Sequence, residues 1–134
     1  MLGDMIGEVR GKRTGRRVLK CEGAGLKVEV SFEGSGKILG IDVNEVATYW
    51  AATRPDGTLY GEGQGIIVSD TGETAVWVGA GAGQFKEGGV VAYRGAIYYQ
   101  TASPKFARLN TVSVVYEFEA DAQGNTHSKQ WEWK

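Results

Sequence analysis

The strongest constraint on the fold is a strict alternation of apolar and polar residues. Between positions 26 and 33 the even positions are apolar and the odd positions polar, and a similar pattern recurs at 112–118. Because successive side chains of a strand point to opposite faces, this period indicates half-buried β-strands. The same argument, applied between turn signals, predicts eight strands at residues 6–20, 26–39, 45–54, 58–69, 74–85, 90–102, 111–120 and 126–133.

Eight antiparallel strands in a chain of 134 residues can close into a barrel, which removes exposed sheet edges. We therefore predict one all-β domain over residues 1–134, a closed antiparallel barrel, with a flattened sandwich as the alternative. The composition, 21 glycines and two prolines, is typical of a turn-rich β protein. One connector, residues 103–109, is predicted to be helical and to plug one end, with Ser103 as cap and Pro104 at its first position.

Three loops share one design that fixes the register of the central strands. Residues 55–57, 70–72 and 86–88 each end in glycine, as in a type I turn followed by a left-handed residue. Such loops place Arg54 opposite Thr58, and likewise pair 68 with 74 and 84 with 90. Even-numbered residues of four consecutive strands then share one face of the sheet.

The even face is predicted to line the interior, because it carries many valines, alanines and aromatic residues. One row of it reads Trp50, Glu62, Ala80, Arg94, so Glu62 and Arg94 are expected to meet over Ala80 as a buried ion pair. They are the candidate catalytic residues, although a purely structural ion pair is an equal alternative. The predicted ligand-binding residues are Trp50, Tyr60, Glu62, Gln64, Arg94 and Tyr98.

The odd face is predicted to point outward. It carries a row of glycines together with large apolar residues, among them Tyr49, Leu59, Trp77, Phe85, Tyr93, Ile97 and Tyr99. So much outward apolar surface is expected to be covered by a second copy of the chain. The sequence therefore predicts a homo-oligomer.

The last hairpin, with its loop at 122–124, leaves two registers open. An even register pairs Glu117 with Lys129 and Glu119 with His127, but sends Gln130 and Glu132 inward. An odd register would instead bury the two tryptophans at 131 and 133. Charge pairing favours the first and hydrophobic burial the second.

Several function classes find little support. The glycine-rich stretches at 61–65 and 34–37 lack the spacing of nucleotide-binding loops. A single histidine, His127, and a single cysteine, Cys21, cannot build an ordinary zinc site or a nucleophile system based on histidine. We therefore expect no metal and no cofactor.

A basic segment at 10–20 holds six of the 15 cationic residues and no acidic one. It has no interleaved aromatic residue, and the chain as a whole carries a net charge of -1. A solvated strand is therefore favoured over nucleic-acid binding. No stretch has the length of a membrane span, no signal peptide is recognised and only one cysteine is present, so we expect neither membrane nor nucleic-acid partners and a cytoplasmic location.

Three stretches, GEGQG at 61–65, GAGAGQF at 79–85 and YRG at 93–95, resemble the glycine-rich central strands of the allene oxide cyclase-like barrels, which include dirigent proteins and short bacterial relatives. The resemblance implies an eight-stranded barrel, often oligomeric, with a cavity for a hydrophobic ligand and, in the plant cyclases, no cofactor. No catalytic residue of that superfamily can be matched to a position of this chain.

Three functions follow as hypotheses. The first is a barrel that binds a small hydrophobic or amphipathic molecule, with Arg94 and Glu62 orienting a polar or anionic group. The second is a cofactor-free isomerase or cyclase in which Glu62 acts as acid or base and Arg94 stabilises negative charge. The third is an oligomeric interaction module whose interior is filled by side chains.

Overall fold

The fold is a closed barrel of eight antiparallel strands. A computed structural model describes residues 1–134, and in it each strand pairs with the next while β8 returns to β1. The strands are β1 Leu2–Leu19, β2 Lys27–Ile38, β3 Ile41–Thr53, β4 Leu59–Ser69, β5 Thr74–Lys86, β6 Val90–Gln100, β7 Ser113–Ala120 and β8 Asn125–Trp133. The prediction of a barrel is confirmed. The predicted bounds of β1 and β3 were too short at their starts.

One end of the barrel is closed by a 3₁₀ helix, Pro104–Thr111, which we call the plug helix. Its side chains Phe106 and Leu109 are completely buried, in an apolar cluster with Ile38, Ile67 and Val114. Pro104 occupies the first turn, as predicted, but Ser103 makes no capping hydrogen bond. The β2–β3 and β4–β5 hairpins lie at this closed end, and the other hairpins surround the open end.

Two of the three predicted turns have the expected register. Trp50 pairs with Glu62 and Glu62 pairs with Ala80. The third turn differs, because Gly88 and Gly89 both have positive φ and the loop comprises residues 87–89, so that Lys86 pairs with Val90. The register of β6 is thereby shifted by two residues, which keeps the parity of its faces but moves Arg94 opposite Ala82.

The predicted interior face was wrong, because the odd-numbered residues of β3 to β6 point into the barrel. The reason lies in the β2–β3 hairpin, a two-residue turn in which Leu39 and Gly40 both have positive φ, as a tight hairpin requires. It pairs the inward Phe32 and Val30 of β2 with Ala47 and Tyr49 of β3. Odd residues of β3 therefore share the interior with the apolar even residues of β2.

The last hairpin takes the even register. Glu117 pairs with Lys129 and Glu119 with His127, while Gln130 and Glu132 are buried. These inward polar groups are satisfied, since Gln130 accepts a hydrogen bond from the Tyr99 hydroxyl at 2.6 Å. Trp131 and Trp133 point to the other face, where Trp131 is half-buried and Trp133 is exposed.

The outer surface of β3 to β6 carries the even-numbered residues. Several apolar side chains are exposed there: Val46, Ile66, Val68, Val76, Val78 and Tyr98. The odd face from which a homo-oligomer was inferred lies inside the barrel, so its apolar residues, apart from the exposed Phe85, need no second copy to cover them. Oligomerisation stays a prediction that sedimentation velocity can test. None of the helical segments has the length and apolar character of a membrane span.

Candidate functional site

The six residues predicted to bind a ligand lie on the outer surface. Glu62, Gln64, Arg94 and Tyr98 are exposed, and Trp50 and Tyr60 are half-buried. These positions correct the prediction of a buried ion pair, because the inverted face turns both charged side chains to solvent.

Glu62 and Arg94 also have different partners from the predicted ones. The Glu62 carboxylate accepts a hydrogen bond from the Tyr60 hydroxyl at 2.8 Å. Arg94 forms an ion pair with Glu117 at 3.4 Å, with 81% of its side chain exposed. The structure therefore does not bring Glu62 and Arg94 together.

A cavity of about 60 Å³ occupies the barrel interior. It exceeds the ~10–15 Å³ that one water molecule needs. The inward side chains around it are Phe32, Glu45, Tyr49, Trp77, Tyr93, Ile97, Tyr116, Phe118, Ser128 and Gln130. Glu62 and Ala80 border it between the glycines of β4 and β5, although the Glu62 carboxylate faces outward.

Glu45 is the buried carboxylate of this cavity. It lies on the inward side of β3, between Gly34 of β2 and Ile67 of β4, and is 3% exposed. Burial raises its pKa to about 7, and a hydrogen bond from Trp77 partly opposes that rise. Near neutral pH this group is therefore divided between its acid and carboxylate forms, which lets it donate or accept a proton.

Trp77 reaches Glu45 across a glycine. Its indole nitrogen donates to Oε2 of Glu45 at 3.0 Å, and the strand between them places Gly65 directly opposite Trp77. A Cβ at position 65 would clash with the indole ring. The glycine is thus required sterically for this contact.

A second polar pair lies next to Glu45. Tyr99 on β6 donates to Gln130 on β8 at 2.6 Å, and Nε2 of Gln130 donates to Ser128 at 3.4 Å. Burial raises the pKa of Tyr99, and the negative charge of Glu45 raises it further. Tyr99 is consequently a neutral phenol that fixes the orientation of the Gln130 amide.

Aromatic rings form a layer above these polar groups. Phe32, Tyr49, Tyr93 and Phe118 contact one another, with ring centroids 5.2–6.2 Å apart. The glycine rows of β4 and β5 give these rings room, since a Cβ at Gly83 would meet the ring of Tyr93 at 2.6 Å. The odd-numbered glycines therefore make space inside the barrel, and their predicted place on its outer face was wrong.

Three tyrosine hydroxyls in the cavity wall, those of Tyr49, Tyr93 and Tyr116, have no hydrogen-bond partner within the chain. These hydroxyls are not fully shielded from solvent. The side-chain group that is both shielded from solvent and unpaired is the Ser103 hydroxyl. Burial raises the pKa of Tyr49 and of Tyr116 to about 12, and it also raises that of Tyr93. At neutral pH all three are neutral phenols that can donate and accept hydrogen bonds.

The open end of the barrel forms a wider space, which we call the mouth, with a volume of about 240 Å³. Its walls are mainly apolar, and Tyr49 and Tyr93 line both the mouth and the inner cavity. Charged residues of the mouth are Arg13, Arg16 and Asp121. The mouth therefore adjoins the inner cavity at these two tyrosines.

The comparisons with known proteins identify the fold only. No protein-family model matches the sequence, and no curated protein matches it either. Among solved structures, a conserved protein of unknown function from Rhodopseudomonas palustris is 12% identical, with a TM-score of 0.83 and 99% of each chain covered. A protein of unknown function from Clostridium acetobutylicum is 13% identical, with a TM-score of 0.84 and 98% of each chain covered.

Two further structures share the architecture. A β-barrel-like protein from Acinetobacter baumannii has a TM-score of 0.82 at 12% identity, over 100% of this chain and 96% of the other. An enzyme from Penicillium herquei has a TM-score of 0.68 at 15% identity, over 96% of this chain and 92% of that one. At these identities the similarity is one of fold, so the barrel is shared and the site residues are not carried over.

Proposed function

We propose that the barrel binds a small, largely apolar molecule in its interior, with a polar group of the ligand directed at Glu45. The observation that carries the proposal is the buried Glu45–Trp77 pair in a cavity that aromatic rings enclose. Binding sites of this kind combine mostly apolar walls with a few convergent polar groups.

The unpaired tyrosine hydroxyls support the proposal. Tyr49, Tyr93 and Tyr116 present donors and acceptors in a wall that is otherwise apolar, so they can orient a hydroxyl or carbonyl group of a ligand. The plug helix closes the far end, which leaves the mouth as the route of entry. The third hypothesis, a filled barrel without a ligand, is an outcome of the following test.

The neutral fluorescent probe N-phenyl-1-naphthylamine tests binding in the interior. We expect saturable binding of one probe per chain, measured by its fluorescence increase. Val91→Trp, which narrows the mouth, should weaken binding at least about tenfold, or about 1.4 kcal/mol. The control Val78→Trp adds the same ring on the exposed outer surface and should leave the affinity unchanged. No saturable binding, or equal losses in both variants, would contradict the proposal.

A second candidate function is cofactor-free isomerase or cyclase chemistry, now assigned to Glu45 instead of Glu62. It is favoured by the pKa of Glu45 near 7, because a general acid or base works best when its pKa is close to the ambient pH. In this role Glu45 would remove a proton from a carbon beside a carbonyl, and the neutral tyrosine hydroxyls would donate hydrogen bonds to the resulting enolate oxygen.

The ring opening of 5-nitrobenzisoxazole tests Glu45 as a base. A base takes the proton from C3 while the N–O bond breaks, which releases a coloured cyanophenolate. We expect catalysis to increase with pH through an apparent pKa of about 7, and to be lost in Glu45→Gln but retained in Glu62→Gln. A rate equal in wild type and Glu45→Gln would rule out this role for Glu45.

The relation to allene oxide cyclase-like barrels is also part of the proposal. The glycine-rich central strands and the closure into eight strands support it. A cytoplasmic location is proposed with it, since the chain contains one cysteine and proteins kept in reducing compartments rarely depend on disulfides.

A further inference from the structure

Two arginines of the basic segment point into the mouth. Arg13 pairs with Phe32 and Arg16 with Val30, both inward residues of β2. A β-bulge between Arg13 and Gly15 inserts an extra residue there. Strict alternation would place residues three apart on opposite faces, so the bulge is what keeps both arginines on the inward side. Both side chains line the mouth.

The outward cations of the same strand are engaged, whereas Arg13 and Arg16 are not. Arg10 pairs with Glu8 at 3.5 Å and Arg17 with Glu29 at 3.3 Å, and Lys12 donates to Asn125 at 3.3 Å. Neither mouth guanidinium forms an ion pair or a side-chain hydrogen bond within the chain. Their charges are therefore available to a ligand.

The acidic residue of the mouth, Asp121, forms no ion pair with either arginine. The Asp121 carboxylate accepts hydrogen bonds from the backbone N–H groups of Asn125 at 2.8 Å and Gln123 at 3.0 Å. Its pKa is lowered, first by the side-chain hydrogen bond from Asn125. It is thus committed to the β7–β8 turn.

The rest of the mouth is mainly apolar. Its walls include Leu26, Val28, Val30, Phe85 and Val91. Below them Tyr49 begins the aromatic layer, and Arg13 lies close enough for its charge to lower the pKa of Tyr49, against the larger effect of burial. A cationic rim above an aromatic interior matches a molecule with an acidic head and an apolar body.

We propose that Arg13 and Arg16 recognise the anionic head group, a carboxylate or a related oxyanion, of the molecule that the barrel binds. This inference rests on the proposed function and adds the class of ligand. A guanidinium offers a planar pair of N–H donors that matches a carboxylate, and two of them can hold one head group at the mouth. The apolar body then extends towards the aromatic layer.

The isosteric pair 2-naphthoate and 2-naphthamide separates charge from shape. Their affinities are measured by displacement of N-phenyl-1-naphthylamine, or by calorimetry. We expect wild type to prefer the naphthoate by at least about tenfold. The Arg13→Gln/Arg16→Gln double variant should lose that preference and keep its affinity for the amide, because only the charged contact is removed.

Arg17→Gln is the matched control, since Arg17 lies on the same strand but faces outward beside Glu29. It should retain the preference, and thermal denaturation should show all variants folded. Amide binding without a preference for naphthoate, or an equal loss in Arg17→Gln, would overturn the anionic head group and leave the proposed function intact. Failure of both compounds and of the neutral probe to bind would overturn both.

Discussion

The indole N–H of Trp77 on β5 donates a hydrogen bond of 3.0 Å to the Glu45 carboxylate on β3, over Gly65 of the strand between them. Glu45 is the only polar side chain of β3 that is fully buried, and Gly65 leaves the space through which the indole reaches it. Glu45 gives the barrel interior a titratable group whose ionisation affects the stability of the fold.

Glu45 should make the barrel less stable as pH rises. Its pKa is raised from 4.5 to about 7 in the folded chain, so the folded state binds more protons than the unfolded state within that range. The free energy of unfolding should therefore fall between pH 4.5 and 7, by about 3 kcal/mol from this group. Urea titrations across this range measure it.

Glu45→Gln removes that titration, so the contribution of this residue to the pH slope should vanish. Above pH 7 the variant should be more stable than wild type, because it avoids a buried charge. Glu62→Gln, on the outer surface, serves as control and should keep the wild-type slope. The same decline in wild type and Glu45→Gln would contradict the assignment.

Trp77→Phe should raise the pKa of Glu45 above about 7. The indole hydrogen bond favours the charged carboxylate, and its loss leaves burial unopposed. The carboxyl ¹³C chemical shift of Glu45 followed against pH reports the change directly. Trp50→Phe, which removes an outward indole, should leave the pKa of Glu45 where it is, and an unchanged pKa in Trp77→Phe would contradict the prediction.

Arg108 and Arg94 test how burial changes the contribution of an ion pair to the stability of the fold. Arg108 of the plug helix pairs with Glu132 at 2.5 Å, and that glutamate is 10% exposed. Arg108→Ala strands a largely buried carboxylate and should destabilise the fold by about 1–2 kcal/mol. Arg94→Ala breaks the exposed pair with Glu117 and should cost less than about 0.5 kcal/mol. Chemical denaturation compares them, and equal costs would contradict the argument.

Phe106→Ala should destabilise the barrel by about 3–5 kcal/mol, because the ring is completely buried and its loss leaves a cavity at the closed end. Equilibrium unfolding in guanidinium chloride provides the value. Phe85→Ala removes a phenyl ring that is 57% exposed at the opposite end and should cost far less. A small effect of Phe106→Ala would mean that the plug helix contributes little to the closure.

The strands and most of their pairing could be predicted because they depend on local signals. Alternation locates a strand within a few residues, and a three-residue loop with a terminal glycine fixes its register, as the pairing of Trp50 with Glu62 demonstrates. The third loop contains two successive glycines, and both Gly88 and Gly89 have positive φ, so the loop pattern alone did not locate its last residue.

The interior face was misassigned because its composition was judged without reference to β2. Valine and alanine suit the inside of a barrel, but so do large rings packed against glycine. The alternation in β2, combined with a two-residue turn at Leu39 and Gly40, would have predicted that the Glu45 side chain points inward. The bulge beside Arg13 and the contact of Arg108 with Glu132 depend on strands and helices distant in sequence, which local patterns do not reveal.

The plug helix closes one end of the barrel, so a ligand bound as proposed would use the mouth at the other end. Such a ligand would enter and leave past Arg13 and Arg16. A second compound bound at the mouth should consequently slow both the uptake and the release of that ligand.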